Sequence, residues 1–249
     1  MPARHGCPAS GVGTASALST SRELLEKAKA VFLDIDGTLI DSNEQHVTAW
    51  ADAFAAAGYT VPVEQIRKQI GKGADMLIPS LLPGISQARA RMIGTGHDEI
   101  FKTRGLPYVR AFAGATAFIE KLSEAGLQVV LASSANNEEV DHYVELLRIA
   151  HRLRTTTSAD DAARSKPAGD IFANALRKVE PIGPTECYAV GDTPYDAIAA
   201  GNCHIKTLGL RSGGFSDSEL IEAGVVAIYD NVAALLRTLN DALVMQNPE

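Results

Sequence analysis

From Pro107 onward the sequence alternates short apolar runs with stretches of helical periodicity. No other feature constrains the fold as strongly. Apolar runs at 128–131, 187–190, 205–208 and 225–228, with a weaker one at 155–157, read as strands. Between and after them, 116–125, 138–147, 170–179, 196–200 and 232–244 read as helices, with Gly126 and Gly201 as stops. An earlier run, 31–35, is apolar except for Asp34 and reads as the first strand. Strands that alternate with helices in this way pair in parallel, with helices covering both faces of the sheet. In such sheets the ligand sits beyond the carboxyl ends of the strands. The residues just after each strand are therefore the ones to inspect.

The stretch between Ser42 and Arg104 has no strand pattern. Val47, Trp50, Phe54 and Ala57 recur at helical spacing until Gly58, and 62–70, 75–82 and 86–104 read as further helices. The expected organisation has three parts. Residues 1–20 form a flexible tail, 21–41 with 107–249 form the α/β core, and 42–106 form a small all-helical domain. Thr20 and Glu23 have capping-box spacing ahead of a helical run at 24–28.

The 249 residues are 46% hydrophobic and 21% charged, which excludes global disorder. A net charge of −7 without a basic block makes nucleic acid and anionic membrane surfaces poor partners. No run approaches the roughly 18 apolar residues of a membrane span, and the first twenty residues lack the apolar stretch of a signal peptide. Cys7, Cys187 and Cys203 fit no zinc spacing. They read as reduced thiols, and the expected location is cytoplasmic. The sequence leaves monomer and homodimer equally open.

The first strand runs into Asp34-Ile35-Asp36-Gly37-Thr38. Carboxylates two residues apart on an extended chain project to one side. Gly37 then permits a sharp turn and a close approach to a ligand. Ser133 and Ser134 follow the 128–131 run, Lys166-Pro167 precedes a helix, and Gly191-Asp192-Thr193-Pro194-Tyr195-Asp196 follows the 187–190 run. Each alone has an ordinary explanation as a turn, a cap or a surface charge. Together they make a kit for phosphoryl transfer at one edge of the expected sheet. The kit holds two carboxylates, hydroxyls, a lysine and further acids that suit a hard divalent cation. The lysine would stabilise the charge of the transition state.

These residues, in this order, resemble the four motifs of the haloacid dehalogenase-like hydrolase superfamily, and the resemblance runs from about Ala30 to Leu236. The helical insertion directly after the first motif looks like the C1 cap of the branch that holds phosphoglycolate phosphatase and β-phosphoglucomutase. The resemblance implies a Rossmann-like core, a Mg²⁺ cofactor and an aspartyl-phosphate intermediate. It implies Asp34 as nucleophile and Asp36 as general acid and base. Asp34, Asp192 and the Asp36 backbone carbonyl would hold the metal. Ser133, Lys166, Ser134 and Gly37 would bind phosphate, and Asp196 would orient Lys166 or metal-bound water. Gly169, where the third motif often has Pro, departs from the pattern.

Less is legible in the cap. His46 lies one helical turn before Trp50 and can face the site. Lys72, in Gly71-Lys72-Gly73, reads as part of a mobile cationic loop that reaches a substrate anion. Asn137 is a further candidate for substrate contact. The expected function is Mg²⁺-dependent hydrolysis of a small phosphorylated metabolite, such as a sugar phosphate or phosphoglycolate. The alternative is a sugar phosphomutase of the β-phosphoglucomutase type. In that branch a Ser and a Lys after the second motif help grip a distal phosphate. Here the stretch is Ala135-Asn136-Asn137, and only its last residue matches.

Overall fold

The strands, in chain order, are β1 (Ala30–Leu33), β2 (Ile40–Asp41), β3 (Arg110–Ala111), β4 (Gln128–Ala132), β5 (Leu153–Thr157), β6 (Cys187–Gly191), β7 (Lys206–Leu210) and β8 (Val225–Tyr229). The computed structural model that gives them describes residue 23 and residues 26–246. The tail at 1–20 and the capping box at Thr20 thus lie outside the described residues. Six strands form one sheet in the order β5-β4-β1-β6-β7-β8, and every neighbouring pair is parallel. The chain moves outward from β1 through β4 to β5, then returns to lay β6 on the other side of β1. That reversal opens a crevice at the carboxyl ends of β1, β4 and β6, where open α/β sheets bind ligands.

The alternation within β1 builds both faces. Val31 and Leu33 join one buried cluster with Val129, Leu131, Phe118, Tyr143 and Leu235. Ala30 and Phe32 join another with Val130, Ala132, Ile171, Phe172 and Ala189. A strand covered on both faces reads as a continuous apolar run, and all four residues of β1 are fully buried.

Strand pairing stops at Leu33, two residues short of the expected end. The Asp34 N–H still donates to Val190 O, but Ile35 O accepts from Thr38, Leu39 and Ile40, which curls the chain into a loop. β2 and β3 form an antiparallel ribbon that carries the chain out to the helical layer and back. At two residues each they are too short for a period-two pattern. Helix Asp217–Glu222, capped at Ser216 by a reciprocal bond with Glu219, was also not expected.

Helices Asn43–Ala56, Val63–Arg67, Ala74–Leu81 and Gln87–Ile100 pack around their own cluster of Val47, Trp50, Phe54, Ile66, Leu77 and Ile93. The helix expected at 62–70 ends at Arg67, ahead of Gly71, whose φ is +99°. The long helix expected at 86–104 widens into a π turn over Phe101–Gly105. A Cβ on Gly105 would lie 2.6 Å from the Phe101 ring, so glycine is what lets this turn close.

Candidate active site

Asp34 is the first residue past β1, and its carboxylate meets two motifs from distant parts of the chain. Lys166 Nζ donates to Asp34 Oδ1 at 2.5 Å and lies 2.8 Å from Asp196 Oδ1. Thr38 Oγ1 lies 3.3 Å from Asp34 Oδ2 and donates to Asp192 Oδ1 at 3.1 Å. Asn43 Nδ2 donates to Asp192 Oδ2, also at 3.1 Å. Lys166 and Asp192 are fully buried, and Asp196 and Asp34 nearly so. Two glycines permit this crowding. A Cβ on Gly37 would sit 1.9 Å from Asp192 Oδ2, and one on Gly213 would sit 2.3 Å from Asp192 O. The Gly37 N–H donates to Ile40 O, so it is spent inside its own turn.

One oxygen each from Asp34, Asp192 and Asp196 can be chosen so that all three lie within 4.8 Å of one another. Three carboxylates against one ammonium leave two negative charges without a cation in a buried cluster. Burial pushes the Asp34 carboxyl up to about 7, with Lys166 opposing and the charges of Asp196 and Asp36 adding to the rise. Asp192 is raised well above the ordinary range by burial, then by Asp34 and Asp196. Burial alone would lower the Lys166 pKa, but Asp196 and Asp34 more than offset it and hold the ammonium charged. Hard oxygen donors with two uncompensated charges fit a divalent cation of the Mg²⁺ kind.

Asp36 turns away from this cluster. Its Oδ1 accepts from Ser42 Oγ at 2.5 Å and from Tyr143 Oη at 2.9 Å, and lies 3.2 Å from His46 Nε2. Burial would raise its pKa, but these three partners, His46 foremost, bring it below the ordinary value. His46 in turn lies 3.3 Å from His97 Nε2 through Nδ1, and His97 Nδ1 lies 2.9 Å from Asp98 Oδ1. A carboxylate only accepts, so His97 carries its proton on Nδ1. Burial holds the His97 pKa down, at about 4, so its ring is neutral and Nε2 accepts from His46. The rings lie flat against apolar neighbours, His97 on Trp50 at 3.9 Å and His46 on Phe101 at 3.7 Å between centroids.

Asp34, Asp36, His46, Lys72 and Ser134 open onto one cavity of about 370 Å³. The structure differs from the sequence reading at several of the other candidates. Asn137 does not line the cavity; its side chain accepts from Ser158 Oγ and its N–H donates to Asp160. The neighbouring Asn136 lines the cavity and caps the next helix. Ser133 is fully buried, with Oγ accepting from the Ala135 N–H, while Ser134 Oγ donates to Gly71 O. The loop read as mobile is tied to the core. Besides the Ser134 bond, the Gly73 N–H donates to Ser165 Oγ, and Asp75 accepts from the Ser165 N–H and hydroxyl. Lys72 Nζ is engaged by Gln69 and Ser80.

Sequence reasoning passed over Thr38, Ser42, Asn43, His97, Glu139 and Tyr143 as site residues. Thr38 stood within the quoted first motif, so its position was available. Ser42 precedes the first helix of the 42–106 stretch, and the others come from helices whose orientation only the packing sets.

The haloacid dehalogenase-like hydrolase model matches residues 28–204. The phosphoglycolate phosphatase of Vibrio cholerae is 26% identical over 227 residues, which span 86% of this chain and 98% of the relative. That of Vibrio vulnificus is 28% identical over 85% of this chain and 96% of its own. Among solved structures, a hydrolase from Pseudomonas syringae superposes with a TM-score of 0.80 at 27% identity, covering 86% of this chain and 98% of that one. A haloacid dehalogenase-like protein from Streptococcus pneumoniae shares the fold, with a TM-score of 0.71 at 20% identity over 85% and 98% of the two chains. The chain belongs to the haloacid dehalogenase-like hydrolase family. It is an enzyme of that family's phosphatase kind.

Proposed function

We propose that the chain hydrolyses a small phosphorylated metabolite, of the sugar phosphate or phosphoglycolate type, through an aspartyl phosphate on Asp34. The observation that carries this reading is the buried Asp34–Lys166 contact of 2.5 Å beside Asp192, behind a cavity that Asp34 and Asp36 line. Asp34 and Asp192, with the Asp36 backbone carbonyl, would hold Mg²⁺, which supplies the positive charge that lets an anionic nucleophile meet an anionic ester.

The protein's own groups do the rest. Asp34 attacks phosphorus in line with the leaving oxygen. Lys166 stabilises the equatorial oxygens as charge shifts onto them, with the Ser133 hydroxyl as a further donor. Asp196, 2.8 Å from Lys166, holds the ammonium in place. Asp36, ionised before substrate binds, takes up a proton from the arriving monoanionic ester or from solvent, gives it to the leaving oxygen, and later takes one from the water that cleaves the acyl phosphate. With Oδ1 occupied by Ser42, His46 and Tyr143, Oδ2 is the oxygen left for this exchange. Residues 42–106 act as a cap over residues 21–41 and 107–249, with the loop around Lys72 closing on Ser134 and Ser165.

Hydrolysis is favoured over mutase chemistry because Ala135 and Asn136 bring no charge and no hydroxyl to grip a distal phosphate. The test supplies β-glucose 1-phosphate with a trace of the 1,6-bisphosphate and follows both products. Inorganic phosphate is the expected product. Glucose 6-phosphate forming much faster than phosphate would overturn the reading in favour of the mutase.

A further inference from the structure

The cavity wall facing the leaving group is built of acceptors. Glu139, the third residue of helix Asn137–Leu147, is 6% exposed. Its side chain has no hydrogen-bond or ion-pair partner among the described residues, yet it lines the cavity. The charges it feels are those of His46, Asp36 and Asp98, all of which line the same cavity. A helix N-terminus favours an acid in its first turn, but Glu138 serves there from solvent, paired with Lys102 at 2.5 Å. That role does not require Glu139 to be buried. A largely buried carboxyl that no protein group answers is turned toward the cavity, where an incoming donor can satisfy it.

The donors that line this cavity are not paired with Glu139. Lys72 is engaged with Gln69 and Ser80, and Ser134 Oγ donates to Gly71 O. His46 and His97 are bound in the chain from Asp36 to Asp98. Asp98 uses one oxygen on His97 and leaves the other free. Lys72 and His46 bring positive charge to the same cavity, but His46 is held by Asp36 and neither is ion-paired with Glu139 or Asp98, so an incoming group meets carboxylate oxygens at those two residues. A carboxylate would be repelled there, while an ammonium brings three N–H donors and the complementary charge.

We infer that Glu139 and Asp98 form a cation subsite, and that the preferred substrate is a phosphate monoester whose leaving group carries an ammonium. The inference rests on the phosphatase reading and narrows it. It selects against the carboxylate-bearing phosphoglycolate, although relatives are named for that compound.

The test compares phosphoethanolamine with 2-phosphoglycolate above pH 7, where the Glu139 carboxyl is ionised; the two are matched in length and opposite in distal charge. Loss of a buried charge partner typically costs tenfold or more, so kcat/KM should favour phosphoethanolamine by about tenfold or more. Glu139→Gln should erase most of that preference through KM, and Asp98→Asn part of it. The ratio of two substrates on one preparation is insensitive to a partly misfolded fraction. An aryl phosphate run alongside reports the phosphatase reading separately. Calorimetric titration of both ligands into Asp34→Asn gives the charge preference without turnover. Wild-type preference for 2-phosphoglycolate, no tighter binding of phosphoethanolamine to Asp34→Asn, or an unchanged ratio in Glu139→Gln would each overturn the subsite.

Discussion

Lys166 holds the site's charges together. It is fully buried between Asp34 and Asp196, so replacing it removes the only cation that touches those carboxylates among the described residues. Breaking a buried pair by removing one partner costs about 3–5 kcal/mol, and Lys166→Met should lose stability on that scale in denaturant titration. Glu139 makes the opposite prediction. Burial pushes its carboxyl from the ordinary 4.5 up to about 7. The folded state therefore holds a proton that the unfolded chain releases, and wild-type stability falls as pH rises from about 4.5 to about 7. Glu139→Gln cannot ionise, so it should be more stable than wild type above pH 7, by up to roughly 3 kcal/mol, and no more stable near pH 4. Thermal melts across that range check the sign. At Asp36, a general acid worth about 10²–10⁴-fold should be missed most by a poor leaving group. Asp36→Ala should therefore slow phosphoenzyme formation more from an alkyl phosphate than from an aryl phosphate, in rapid-quench measurements. The positions of Asp34, Asp36 and Asp192 were legible because each follows a strand, and that of Lys166 because it stands in the loop ahead of a helix, where sequence alone gives position. Glu139, Tyr143 and His97 were not, since a helical side chain points wherever tertiary packing turns it.

Whole elements were legible in proportion to their length. The four-residue and longer strands and the amphipathic helices carry enough periods to be read. β2 and β3, two residues each, do not, although they carry the chain to the helical layer. The end of β1 was placed too late because Ile35 is apolar and fully buried, yet it belongs to the loop that aims Asp34 and Asp36. The loop at 71–73 read as mobile because two glycines flank a lysine, and nothing local reveals its bonds to Ser134 and Ser165. Those bonds give a prediction at this scale. Ser165→Ala removes the acceptor of the Gly73 N–H and one donor to Asp75. Hydrogen exchange at Gly73 should speed up, while amides in β1 keep their protection. Unchanged exchange at Gly73 would mean that the loop is held by other contacts.

At the scale of the whole molecule, alternation predicted a parallel sheet but not the order of its strands. That order depends on which side of β1 each helix packs, and it creates the crevice where the first motif meets two others that lie more than a hundred residues further along the chain. The convergence leaves two uncompensated negative charges in the core, so a divalent cation should raise the melting temperature. Asp192→Ala should weaken Mg²⁺ binding at least about tenfold, the scale on which metal sites respond to lost support. The account's central claim is that Asp34 carries the phosphoryl group. Its most direct test is rapid acid quench of the enzyme during turnover of a radiolabelled phosphate ester with Mg²⁺, followed by peptide mapping. The account predicts label on the peptide containing Asp34, on Asp34 itself, and none in Asp34→Asn. Label on His46 or another residue, or steady hydrolysis by Asp34→Asn, would contradict it.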